Sequence, residues 1–193
     1  MKSLFAVLAL FAAHFAALST VSAMSPAARA DGLPAATGTV ILTIGGNIAN
    51  ANRPPFDPAR DGFLKHHERR FDRAAAFDLP MLEALGTRSA TIAYAKWPAP
   101  VTFSGPLLAD VLKAAGWNGT QITTLALDGF GTKIARPALD SRDWILATRA
   151  DGKPLGIGAR GPLWLVFDPP GDRPATDEEE AMWPWALFYI EAE

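Results

Sequence analysis

The chain contains no cysteine. That absence excludes disulfides, thiolate metal sites, a cysteine nucleophile and any cofactor held through cysteine sulfur. An excess of charge is missing too: 18 lysines and arginines stand against 20 aspartates and glutamates, a formal net charge of −2. No global field therefore draws the protein to nucleic acid or to an anionic membrane surface. There is no internal repeat, no phosphate-cradling glycine loop and no dinucleotide fingerprint. No serine has a partner histidine placed by a recognisable pattern, and acid pairs such as Glu179-Glu180 lie in a polar stretch. No catalytic trio emerges.

What is present suits one domain of a 193-residue chain with a leader. Six tryptophans and 16 prolines favour a strand-rich body. The opening "MKSLFAVLALFAAHFAALSTVSA" has one lysine, an apolar run and then small residues, the layout of a secretory signal peptide. Cleavage is expected after Ala23, or as late as Ala30. The run from Leu4 to Leu18 is short for a bilayer span, so stable membrane insertion is not expected. No twin arginine precedes it, which implies export to the periplasm by the general route, as an unfolded chain. Residues 24–37 read as a flexible lead-in and 38–193 as the domain. Within it, residues 51–74 form a charged, proline-broken excursion with a short helix around Phe63 to Arg73.

"TVILTIGGNI" predicts a first strand. "FDLPMLEALG" predicts a short helix with Asp78 as N-cap, Pro80 in its first turn and Gly86 as stop. "TRSATIAYAKW" alternates, putting Ala90, Ile92 and Tyr94 on one strand face. "FSGPLLADVLKAAGWNG" predicts the clearest helix, capped by Ser104, ended by Gly116, with Leu107, Leu108, Val111, Leu112 and Ala115 as its buried stripe. After Gly119 strands dominate: "ITTLALDGF" with a turn at Asp128-Gly129, "TKIARPAL", the turn "DSRD", "WILATR", a turn at Asp151-Gly152, "PLWLVFDP" and a terminal "WALFYIEAE". Early helices and late strands predict an α+β fold with a mixed, mostly antiparallel sheet and a few short helices.

From Phe77 to Ile190 the pieces run in order: the "FDLPML" helix, "W…VTFSGPLLADVLKAAG", "LALDGFGTKIARPAL", then "ILATRADGKPLGIGARGPLWLVF". This succession resembles the molybdopterin-binding domain of the sulfite oxidase family, in its small stand-alone exported form. The resemblance implies that family's fold, oxidoreductase chemistry and a molybdopterin whose metal takes one protein cysteine. That cysteine should fall on or just after the strand before "FSGPLL". The chain there reads "TIAYAKWPAPVTF", where Tyr94 and Lys96 are poor substitutes for a soft thiolate. Trp164 follows Leu163 where the family carries an arginine, and acidic "TDEEEAMWPW" stands where the family carries basic residues for the pterin phosphate.

The resulting expectation is an exported ligand-binding or accessory module without a working molybdenum centre. No cofactor is expected, and the partner is a small ligand or a periplasmic protein. Two alternatives stay open: a molybdopterin-dependent oxidoreductase with a non-cysteine metal site, and a structural domain that docks a partner through residues 57–73.

Three residues are pocket-rim candidates. Lys153 and Arg160 sit among Gly152, Gly156, Gly158 and Gly161, where bare backbone and cations suit an anion. Asp128 begins a turn that, by the resemblance, borders the pocket. Arg160 is preferred because it precedes the "GPLW" strand, and Arg149 is the least expected to converge. His66-His67 point about 100° apart on a helix and do not form a metal pair. Trp97, Trp117, Trp164, Trp183 and Trp185 are expected mainly as buried aromatics.

Overall fold

The structure, a computed structural model, describes residues 32–171 and 173–193. The predicted leader and its cleavage points at Ala23 and Ala30 lie outside the described residues. Strand β1 (Val40–Gly46) comes first, then the one-turn helix α1 (Gly62–His66) and strand β2 (Ala74–Asp78). Helix α2 (Leu79–Ala84), strands β3 (Arg88–Ile92) and β4 (Val101–Gly105), and helix α3 (Leu108–Ala114) follow. Then come β5 (Gln121–Ala126), β6 (Lys133–Ala135), α4 (Arg136–Asp140), β7 (Trp144–Ala147), β8 (Arg149–Ala150) and β9 (Lys153–Pro154). Strand β10 (Trp164–Phe167), helix α5 (Asp177–Glu180) and strand β11 (Leu187–Ala192) complete it.

The strands form sheets in the orders β2-β1-β11-β5-β6, β3-β4-β8-β9 and β10-β7. Among the described strands β1 and β11 pair in parallel, and the other strand pairs are antiparallel. The fold is α+β, mostly antiparallel, with short helices. Among the described residues no helix is long and apolar enough to cross a membrane.

The five-stranded sheet is covered on both faces, and strand periodicity shows why. On β1, Leu42 and Ile44 enter the main core with Ala75, Phe77 and Ile190. The intervening face carries Tyr189 and Leu125, which pack with Leu64 and Phe71 from the 51–74 segment. That segment is mostly exposed, as its charges predict, but Leu64 and Phe71 anchor it to the sheet. Arg53 pairs with Asp61 and also donates to the Thr43 hydroxyl at 2.7 Å, so its polar groups are tied down beside the apolar anchors. Its helix stops at His66, with Glu68 in the left-handed region at φ 57°.

Helix α2 forms as its sequence predicts. The Asp78 carboxylate accepts from the Met81 amide at 2.9 Å, and Gly86 exits at φ 107°. The same carboxylate accepts from the Gly38 and Thr37 amides at 2.7 and 2.9 Å. These bonds, Gly38 first and then Met81, hold it below the usual aspartate range. A depressed folded pKa stabilises fully above the unfolded value near about 4 and is lost as pH falls below it. Asp78→Asn should therefore flatten the fall in urea-unfolding stability between about pH 5 and pH 3. Equal slopes in wild type and variant would refute this.

Helix α3 starts later than predicted. Ser104 is not its cap: it lies in β4, and its carbonyl accepts from the Thr148 amide at 2.9 Å. Sheet pairing claims the residue before the helix can. Leu107 takes the cap position with no side-chain bond, while Leu108, Val111, Leu112 and Ala115 are buried as predicted. "TKIARPAL" is not one strand either. It turns into α4 at Arg136, with Pro137 in the first turn, where a missing N–H costs nothing.

Candidate functional site

The glycine-rich loop is a hairpin followed by a compact turn. Asp151 and Gly152 both adopt positive φ, 48° and 73°, the backbone a two-residue hairpin requires. The Asp151 carboxylate fixes the turn by accepting from the Thr102 amide at 2.9 Å. The three basic side chains part company. Arg149 reaches Glu83 on α2 at 2.8 Å, away from the others as expected. Lys153 stands exposed on the edge strand β9. Arg160 lies over the Trp164 ring at 4.5 Å, with a Glu180 oxygen at 4.0 Å.

Arg160 and Asp128 are brought to one neighbourhood through the backbone of Ala186. Its N–H donates to the Arg160 carbonyl at 2.9 Å, and its carbonyl accepts from the Leu127 amide at 3.0 Å. The Asp128 carboxylate is spent locally, accepting from the Phe130 amide at 3.0 Å across the turn. Among the described residues, Lys153 makes no ion pair or side-chain hydrogen bond with either. His67 stacks edge-on against Phe63, and burial, then His66 and Arg69, push its imidazole below the ordinary range. Among the described residues no three histidine, aspartate or glutamate side chains converge as a metal site.

The segment where the resemblance places a metal-binding cysteine is occupied by a different constellation. The Tyr94 hydroxyl donates to Asp177 Oδ1 at 2.8 Å and Lys96 Nζ donates to Oδ2 at 2.7 Å. Burial and this hydrogen bond push the Tyr94 phenol above its ordinary range. The Asp177 hydrogen bond also raises Lys96, while Asp177 itself is lowered by Lys96 and Tyr94. Behind them Trp97 packs against Tyr94, Trp164, Phe103 and Trp183, with ring centroids 5.5, 5.6, 5.8 and 6.3 Å away. Trp164 and Trp183 bury indole nitrogens that have no acceptor among the described residues.

Asp177 and Glu180 both come from α5, in the stretch whose charges alone predict no helix. The signal for a helix was legible: Thr176 caps it, and Glu179 returns the bond in a capping box. The Glu179 carboxyl, gripped by Arg173 at 2.8 Å, falls to about 2.

This donor set does not fit a dithiolene-held molybdenum. A phenol held protonated and an ammonium with no lone pair offer no soft, electron-rich ligand.

A cleft of about 420 Å³ opens elsewhere, between α3 and α4. Leu108, Leu112, Leu139, Trp117 and Trp144 form its apolar walls, and Lys113, Arg136 and Arg142 stand around it. Asp140 and Asp143 also line it, so apolar walls meet five charged side chains in a volume within the small-molecule range. None of the loop candidates lines it. No protein-family model matches the chain, and no curated protein matches it.

Proposed function

We propose that this chain is an exported accessory or ligand-binding module built on the sulfite-oxidase-type molybdopterin-domain architecture, without a working molybdenum centre. The order of pieces from Phe77 to Ile190 and the mostly antiparallel α+β fold support the architecture. The leader-like first 23 residues support export. One observation carries the functional reading: Tyr94 and Lys96, which stand where a thiolate is required, are both bound to Asp177. Asp177 of α5 so takes up both of these polar side chains.

Protein purified from the periplasm of its native host should hold molybdenum and pterin far below one equivalent. Elemental analysis and fluorescence of the oxidised pterin measure both. Stoichiometric molybdenum with turnover abolished by Arg160→Ala would overturn this reading in favour of an oxidoreductase with a non-cysteine metal site.

A further inference from the structure

We infer that the cleft between α3 and α4 is a binding site for a small amphipathic anion, an apolar ring system or medium-length chain ending in a carboxylate. The inference rests on the ligand-binding reading above and names the ligand class.

The walls take apolar bodies only. The Trp117 indole N–H donates to the Glu193 carbonyl at 3.2 Å, and the Trp144 indole N–H donates to the Ala138 carbonyl at 3.1 Å. With both donors spent, the rings offer an occupant apolar surface only, with Arg136 over Trp117, Leu139 and Leu112 alongside and Leu108 fully buried behind.

The polar capacity lies at the rim, and its sign is positive. Of the two lining carboxylates, Asp143 pairs with Arg88 at 3.0 Å, and Asp140 has Arg136 at 4.0 Å. Arg136 also donates to Asn118 at 3.2 Å while lying over Trp117 at 4.4 Å. Lys113 and Arg142 have no carboxylate within 4.0 Å among the described residues. Arg142 rests its plane over Phe167 at 4.2 Å, which leaves the edge of its guanidinium fork for a planar anion. Lys113 and Arg142, the latter also in the field of Glu179, stand beside the apolar walls and favour a carboxylate head over a cationic or neutral one.

The test uses 2-naphthoate and its neutral counterpart 2-naphthalenemethanol as probes, titrated calorimetrically into the purified mature protein. Naphthoate should bind at least about tenfold more tightly than the alcohol. The double variant Lys113→Gln/Arg142→Gln should lose at least about tenfold for naphthoate and leave the alcohol unchanged. Both side chains are exposed, so the fold should persist. Ala109→Trp, at the exposed edge of the cleft, should abolish binding of both probes. If Ala109→Trp does not fold, the charge variant and the alcohol comparison still decide. Absence of naphthoate binding at millimolar concentration, or binding that the charge variant leaves intact, would overturn the inference. The molybdenum assay reads the parent proposal separately. Metal-free protein that ignores naphthoate fails only the cleft, whereas molybdenum-loaded protein that binds naphthoate fails only the parent proposal.

Discussion

Gly105→Ala should destabilise the domain by about 3 kcal/mol or more, at or beyond the top of the usual overpacking range. Gly105 ends β4 where that strand passes β7 backbone to backbone. A β-carbon there would sit 2.9 Å from the Leu146 carbonyl carbon, 3.0 Å from Ala147 Cα and closer still to the Leu146 oxygen. No flexible side chain is available to yield. The strands are also stitched at this point, with the Leu146 amide donating to the Pro106 carbonyl and the Thr148 amide to Ser104, both at 2.9 Å. Relieving the clash means breaking those bonds. Gly156→Ala is the control, because open space surrounds that position and its φ is not left-handed. It should stay within about 1 kcal/mol of wild type. Urea unfolding of the pair measures the contrast. A loss below about 1 kcal/mol at Gly105 would mean that β4 and β7 are not in backbone contact.

Leu108→Ala and Leu112→Ala should each cost about 2 to 5 kcal/mol. Leu108 is fully buried and Leu112 is 3% exposed, and both face the main core from α3. Leu108 should lie at the upper end. It is anchored next to Leu107, which bridges to Ile145 on β7, so the backbone cannot settle into the space left behind. Equilibrium denaturation checks this, and losses under about 1 kcal/mol at both positions would show that the stripe faces water.

These elements also show what the sequence made legible. Helix α2 was readable end to end because every signal there is local: Asp78 bonds three residues ahead and Gly86 supplies the left-handed exit. The Asp128-Gly129 and Asp151-Gly152 turns were readable for the same reason. Strand β2 was not. Ala74, Ala75 and Ala76 carry little strand propensity, and burial against both faces of the sheet makes the strand. Ser104 misled because a good cap residue was claimed by a partner 44 positions away. The backbones of Leu127, next to Asp128, and of Arg160 are both bonded to Ala186, a link that no sequence spacing announces. The α3–α4 cleft was equally silent. Arg142 sat in a segment read as a polar turn, and only the packing of α4 against α3 gives it a cavity to face.

The placement of β11 has a bearing on how such a chain is made. It lies between β1 and β5, bonded to both, although all the other strands precede it in the chain. A polypeptide delivered from its N-terminus therefore presents β1 and β5 with open edges for as long as residues 187–192 are still to arrive. Open strand edges invite pairing with other molecules, and pairings so distant in sequence form late and slowly. The central seam of the largest sheet can thus close only once residues 187–192 are available.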